Sequence, residues 1–312
     1  MKNIITVGEA MGLFVADEVG SLDSVSKFTK YSAGAEMNVA IGVSRLGFGS
    51  YYVTRFGNDP LGKYIKSVLE RENVKTDYVY FSDEDVTGFQ LKEKVLEGDP
   101  SVSNYRKGSA GSKLGKEMVG NIDFGKVDHM HLSGVFLSLT EHTKEVSYHF
   151  ASEAKKNNIP TTFDPNLRPK LWRSKEEMIE TTNDLAVKCD IVMPGLSEGE
   201  ILTGYKTPEE VANFYLSKGV KCVIIKLGEA GAYYQEKDSE GVYVKGFKVD
   251  KIIDTVGAGD GFAVGVISGI VEGTTLEDAV RRGNAVGAIQ LMSPSDNEGL
   301  PTKAQLLDFI KE

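Results

Sequence analysis

The chain has 312 residues, of which 41% are hydrophobic and 26% charged. That is the balance of a soluble globular protein, long enough for two domains or for one large α/β domain with an elaboration. Its 45 acidic and 36 basic residues leave a formal net charge of −9, which argues against nucleic acid or an acidic membrane surface as a partner. A small anionic ligand is not excluded, because a local pair of arginines outweighs a diffuse global charge. The two cysteines, Cys189 and Cys222, sit in or beside strand-like runs. They do not make a disulfide framework and point to a reducing cytoplasm. Met1-Lys2-Asn3 passes at once into a strand-like run rather than a signal peptide, and no apolar run is long enough to span a bilayer.

Along the chain, strand-like runs alternate with helical ones. Ile4–Gly8 reads as a strand, and a polar, turn-rich stretch with no clear helix follows from Phe14 to Tyr31. Met37–Leu46 has helical spacing, Tyr51–Phe56 is strand-like and Leu61–Glu72 is helical. A second turn-rich, strand-like stretch runs from Asp83 to Tyr105. Val127–Leu132, Thr161–Asp164, Ile191–Met193 and Lys221–Lys226 then read as strands. Between and after them, Glu141–Asn157, Lys175–Lys188, Pro208–Lys218, Gly261–Val271 and Leu276–Met292 read as helices. This alternation predicts an α/β fold with a mainly parallel sheet and helices on both faces. The two turn-rich stretches are either long loops or a functional elaboration, since long structureless loops are uncommon in compact domains.

The most informative segment is Asp254-Thr255-Val256-Gly257-Ala258-Gly259-Asp260, which opens the helical run from Gly261. Glycines at a helix start let backbone N–H groups approach a phosphate, and the helix dipole favours negative charge there. An aspartate at such a site repels a phosphate. Its best use is to take a proton from a hydroxyl that attacks the phosphate. The plainer reading is a glycine turn with an N-capping aspartate. Other polar groups fall at strand ends, where ligands of open α/β sheets bind. These are Gly8-Glu9, Asp164-Pro165-Asn166, Pro194-Gly195-Leu196-Ser197 and Lys226-Leu227-Gly228. His129 and His131 alternate on one strand and read as sheet residues, and no His/Cys cluster has metal-ligand spacing. The chain has no G-x-x-x-x-G-K-[ST] motif, so it is not a P-loop protein.

The run DTVGAGDGF resembles the signature of the ribokinase-like sugar kinases. So do Gly34-Ala35-Glu36-Met37-Asn38-Val39-Ala40 with Leu46-Gly47, Gly57-Asn58-Asp59-Pro60-Leu61-Gly62, and Lys226-Leu227-Gly228 with Gly231. Within that family, three segments are similar to the 2-keto-3-deoxygluconate kinases. They run from Asn104 to Ser112, from Asp164 to Arg168 and from Pro194 to Glu198. The resemblance spans nearly the whole chain. It implies a single ribokinase-like domain over 1–312, a three-layer αβα fold with a mainly parallel central sheet. A small β-sheet lid would be built from about 14–31 and 83–108.

The resemblance also assigns roles. Asp260 is implied as the general base, an ordinary and therefore weak base helped by alignment. The N–H groups of Gly257, Ala258 and Gly259 would hold the charge that develops on the phosphoryl group. ATP is implied as donor, contacted by Ser197, Lys226, Gly228, Gly231, Asn284 and the same glycine turn. Lys226 reads equally as a strand-end lysine in solvent, and Asn284 as helix packing. Mg2+ would arrive with the nucleotide. Glu198 matches an acid that holds a water around it, and reads nearly as well as a solvated glutamate at a helix start. Arg106 and Arg168 match positions that reach a sugar acid, as guanidinium groups suit a carboxylate. Either arginine alone reads as a surface ion-pair partner. Gly34 would allow close approach of substrate, Asn38 and Tyr105 would bind hydroxyls, and Lys107 through Ser109 would continue that wall. Asp296, in the run from Ser295 to Gly299, matches an acidic position that touches sugar. Gln90 stands where relatives often carry an aromatic, which leaves the lid's contact with the sugar open.

The implied activity is phosphate transfer from MgATP to the primary hydroxyl of 2-keto-3-deoxygluconate. The alternatives are a kinase of the same fold for a neutral sugar such as fructose, and a catalytically silent sugar-acid sensor. A homodimer through the lids, or a higher homo-oligomer, is expected, because open strand edges invite pairing.

Overall fold

Apolar strands that alternate with amphipathic helices bury both sheet faces only when the helices pack on both sides. The computed structural model has this layered arrangement and describes residues 1–96, 100–249, 251–293 and 296–311. Ser295 and the 97–99 part of the expected lid segment lie outside the described residues.

In chain order the first half contains β1 (Asn3–Val7), β2 (Met11–Val19), β3 (Phe28–Ala33), α1 (Ala35–Arg45), β4 (Gly49–Gly57), α2 (Pro60–Arg71), β5 (Val79–Ser82), β6 (Phe89–Lys94) and β7 (Val102–Tyr105). The middle contains β8 (His129–Ser133), α3 (Gly134–Leu137), α4 (Glu141–Asn157), β9 (Thr161–Asp164), α5 (Lys175–Ala186), β10 (Ile191–Val192), α6 (Leu196–Thr203) and α7 (Pro208–Leu216). The last third contains β11 (Cys222–Lys226), β12 (Gly231–Glu236), β13 (Val242–Lys245), α8 (Ala258–Glu272), α9 (Leu276–Leu291) and α10 (Lys303–Lys311).

Among the described residues, nine strands form the main sheet in the order β13-β12-β11-β10-β9-β8-β1-β4-β5. From β11 to β5 every pairing is parallel, and β12 and β13 add antiparallel at one edge. Two apolar cores lie on its two faces. One gathers α1, α2, α8 and α9 residues such as Met37, Ile41, Ile65, Val264 and Val286. The other gathers Phe136, Phe150, Phe163, Leu185 and Tyr215 around α4, α5 and α7. Helices α8 and α9 approach closely because Gly265 lacks a side chain: a Cβ there would lie 2.3 Å from the Arg282 carbonyl oxygen.

The helix boundaries follow cap chemistry. Thr140 accepts from the Thr143 N–H ahead of α4, Ser174 from Glu177 ahead of α5, and Thr207 from Glu210 ahead of α7. The histidine reading holds: both His129 and His131 are buried and share the Thr162 hydroxyl, at 3.1 and 3.0 Å. Burial drives both ring pKa values down to about 3, so both rings are neutral.

Among the described residues, a second sheet of four strands, in the order β3-β2-β6-β7, is built from the two turn-rich stretches. Strands β2 and β6 run parallel, while β3 and β7 flank them antiparallel. Side chains alternate between its faces. Cross-strand register places Gln90, Lys92 and Asn104 on one face and Phe89, Leu91 and Tyr105 on the other.

Candidate active site

The carboxyl ends of β1, β8, β9 and β11 deliver Glu9, Ser133, Asp164 and Lys226 to one end of the main sheet, and the start of α8 faces them. Asp260, in the first turn of α8, is 8% exposed. Its Oδ2 accepts from Asn38 Nδ2 at 2.7 Å and its Oδ1 from Asn166 Nδ2 at 3.3 Å. Burial pushes its pKa up to about 7. The Asn38 bond and Arg168 oppose that shift, while Asp164 and Glu36 add to it. The sequence reading expects an ordinary carboxylate. The structure instead gives one whose basicity is matched to neutral pH.

The turn ahead of α8 is shaped by Gly257, which has φ 79°, and a Cβ there would lie 2.5 Å from the Asp296 carbonyl oxygen. Only glycine fits both demands. The first helical bond runs from the Gly261 N–H to the Gly257 carbonyl at 2.8 Å. The N–H groups of Ala258, Gly259 and Asp260 are therefore the donors that a helix start leaves without helical partners. Lys226 reaches the same place: its Nζ would lie 3.8 Å from a Cβ on Gly259. Lys226 is no free strand-end lysine. It pairs with Asp164 at 2.8 and 2.9 Å, and although burial lowers its pKa, the carboxylates around it raise it overall. The site thus holds a buried carboxylate, a cluster of backbone donors and a fixed ammonium within one crevice.

A family model described as pfkB family carbohydrate kinase matches residues 1–303. The chain belongs to this family of carbohydrate kinases. The 2-dehydro-3-deoxygluconokinase of Bacillus subtilis (strain 168) is 48% identical over 307 residues, which is 98% of this chain and 94% of that protein. The crystal structure of a PfkB protein from Polaromonas sp. JS666 has a TM-score of 0.91 at 41% identity, covering 98% of this chain and 99% of that one. A putative ribokinase II from E. coli, solved in complex with ATP and Mg2+, has a TM-score of 0.90 at 26% identity, covering 100% of this chain and 99% of its own. The ribokinase-like fold expected from the motifs is therefore the fold of this kinase.

On the side where the resemblance places the nucleotide, Gly228 (φ 62°) and Gly231 (φ 100°) shape the turn after β11. The Asn284 amide donates to the Val244 and Lys245 carbonyls at 3.1 and 3.2 Å. It ties α9 to β13 beside that turn, which is the packing alternative raised above. Ser197 is exposed at the start of α6. Glu198 is engaged at both oxygens, by the Leu167 N–H and the Gly195 N–H, each at 2.7 Å. Its observed work is to cap α6 and fix the loop after β9.

On the side where the resemblance places the sugar, Arg106 and Tyr105 both have partners within the protein. Arg106 is not a free cation. Its Nε donates to Glu9 Oε2 at 2.7 Å, its Nη2 contacts the same oxygen, and the Ser109 hydroxyl donates to Glu9 Oε1. Tyr105 stacks on Phe89 with ring centroids 4.7 Å apart, on the sheet face opposite Gln90 and Lys92. Tyr105 is the last residue of β7, and Arg106, just beyond the strand, turns to Glu9. Gln90 donates to Asn104 at 2.7 Å, and Lys107 is exposed. Arg168 is exposed and donates to its neighbour's carbonyl, Leu167, at 3.0 Å. Its charge lowers the pKa of both Asp260 and Asp296. Burial pushes Asp296 up to about 6. Gly34, with φ 152°, brings the backbone against Glu9, as a Cβ would lie 2.9 Å from the Glu9 carbonyl oxygen.

Four contributors carry no role in the sequence reading: Glu9, Glu36, Asn166 and Asp164. Each stood inside a quoted motif, but a motif does not show direction. Glu36 is fully buried, accepts from the Phe136 N–H at 3.1 Å and has its pKa pushed up to about 7 by burial. Asn166 has φ 39°, an uncommon conformation that asparagine tolerates. A strand-end Asp-Pro-Asn is the available signal for it.

Proposed function

We propose that this kinase transfers the terminal phosphoryl group of ATP to the primary hydroxyl of 2-keto-3-deoxygluconate. The observation that carries the reading is Asp260, a buried carboxylate with a pKa near 7 at the mouth of a glycine-shaped helix start. Asn38 and Asn166 orient the carboxylate, so its second lone-pair direction is left for a substrate hydroxyl. As the proton passes to Asp260, the hydroxyl oxygen bonds to phosphorus and the bond to the leaving oxygen breaks. The amides of the Gly257–Gly259 turn and the Lys226 ammonium counter the charge that moves outward.

The substrate class is supported by the 48% identity to the Bacillus subtilis enzyme and by Arg168, exposed beside Asp260 and Asp296. A neutral sugar gives no reason for a guanidinium there, and fructose-type substrates remain the second reading. Mg2+ would supply charge neutralisation on the phosphates. The donor set fits an ion held mainly by phosphate oxygens and water, because Glu198 is occupied by two N–H groups and Asp164 by Lys226. We read the whole chain as one domain whose second sheet acts as a lid. The aromatic face of that sheet, where Phe14 meets Phe89 edge-on and Phe89 stacks on Tyr105, supports a homodimer, and the two-cysteine composition supports a cytoplasmic setting.

The test is coupled ADP release with MgATP and a panel of 2-keto-3-deoxygluconate, its galacto epimer, gluconate, fructose and ribose. Selective turnover of the keto-deoxy acids is expected. Preference for fructose or ribose would retain the kinase and discard the sugar-acid reading.

A further inference from the structure

Lys92 lies in β6 of the second sheet, and its side chain is 7% exposed. A lysine so buried requires a partner. The partner is Asp254, whose Oδ2 takes the ammonium and whose side chain is 12% exposed. The other oxygen of the same carboxylate, Oδ1, accepts the Val256 N–H at 3.1 Å. Val256 immediately precedes Gly257, where the phosphate-facing turn begins. Asp254 thus bridges two parts of the molecule, with one oxygen on the second sheet and the other on the catalytic turn. Its own backbone is fixed from behind, as the Ile253 and Asp254 N–H groups both point to the Leu291 carbonyl, at 2.8 and 3.4 Å. The turn is backed on its far side by the Asp296 carbonyl, against Gly257.

We propose that Lys92 is a positioning residue for phosphoryl transfer: its ion pair with Asp254 seats the second sheet on the 254–260 turn and, through Val256, sets the amides of Gly257, Ala258 and Gly259. The proposal rests on the kinase reading of that turn. The pair is joined to the turn by a single hydrogen bond, from the Val256 N–H to Asp254. When the second sheet lifts, Asp254 loses its cation and the turn loses its reference. Alignment and water exclusion then fail together.

The experiment compares wild type with Lys92→Met, Asp254→Asn, the double variant and Lys92→Arg. ADP release and sugar phosphate are measured in the same reaction, and melting temperature alongside. The wild type is expected to release one ADP per sugar phosphate. Either single variant should lower kcat by about 10- to 100-fold and release excess ADP through hydrolysis. The double variant should be no worse than either single one, because the two residues act as a unit. Lys92→Arg should restore coupling. Should Lys92→Met fail to fold, Asp254→Asn and Lys92→Arg carry the same readout. Lowered melting temperature with unchanged kcat and one ADP per product overturns the proposal, as does an additive double variant. A wild type that phosphorylates no sugar in the panel overturns the kinase reading itself, a result distinct from the first.

Discussion

Arg106 rests on Glu9: the guanidinium Nε donates to the Glu9 carboxylate at 2.7 Å, and Glu9 is 2% exposed. The two residues are 97 positions apart in the chain, and their pairing divides the two arginines of the site. Arg106 is neutralised in place, whereas the Arg168 guanidinium bonds only its neighbour's carbonyl among the described residues.

Arg106→Ala is therefore expected to strand a buried carboxylate and to destabilise the fold by about 3 kcal/mol, read from chemical denaturation. Arg168→Ala removes an exposed side chain and should shift stability by less than about 0.5 kcal/mol. Its effect belongs to the substrate. KM for the sugar acid should rise roughly 10- to 100-fold, as expected for the loss of a charge-assisted bond, while turnover of a neutral sugar is spared. Equal losses for both sugars would remove Arg168 from acid recognition.

The buried carboxyls give a pH dependence with a definite sign. Asp260 and Glu36 rise to about 7 from ordinary values of 3.8 and 4.5, and Asp296 to about 6 from 3.8. The folded state thus binds these protons more tightly than the unfolded chain. Their contribution to stability is whole below the unfolded values and is lost as pH rises through about 6 to 7. Activity runs the other way, since the base must be ionised. kcat/KM should rise with pH to a plateau above about 7, while melting temperature falls between about pH 4 and 7 and then levels off. In Asp260→Asn the fall should be smaller. Calorimetry across that range checks it, and an identical slope in both proteins would contradict the assignment.

Gly257→Ala tests the turn. Its φ of 79° and the 2.5 Å approach to the Asp296 carbonyl leave no room for a methyl group. A cost of about 1 to 3 kcal/mol is expected, with kcat falling more than KM for the sugar rises. Gly273, which has φ 74° and nothing within 4 Å of a Cβ, is the control: alanine there should cost stability and leave kcat alone.

Much of the fold was legible because its signals are local. The run Glu141–Asn157 reads as a helix from its periodicity, and the helix has those same bounds. The strands at β1, β4, β9 and β11 are rich in β-branched and aromatic residues. Strand β5 and helix α10 were not legible. Val79–Ser82 carries two aromatics and a half-exposed pattern, and Lys303–Lys311 buries only Leu306. In the site, motif positions located Asp260, Asn38, Lys226 and Arg106, but not their partners. The Asn38–Asp260, Lys92–Asp254 and Glu9–Arg106 contacts span 222, 162 and 97 residues. No local pattern encodes such pairs. The direction of Tyr105 was not legible for a related reason: which face a strand residue takes depends on register, and its register is fixed by pairing with β6.

The most direct test of the account is turnover of 2-keto-3-deoxygluconate with MgATP by wild type and by Asp260→Asn, side by side. General base catalysis is typically worth about 10²- to 10⁴-fold. The account predicts a loss of that size in kcat, with similar KM for ATP and a folded protein. Turnover of the asparagine variant within a few-fold of wild type would contradict it.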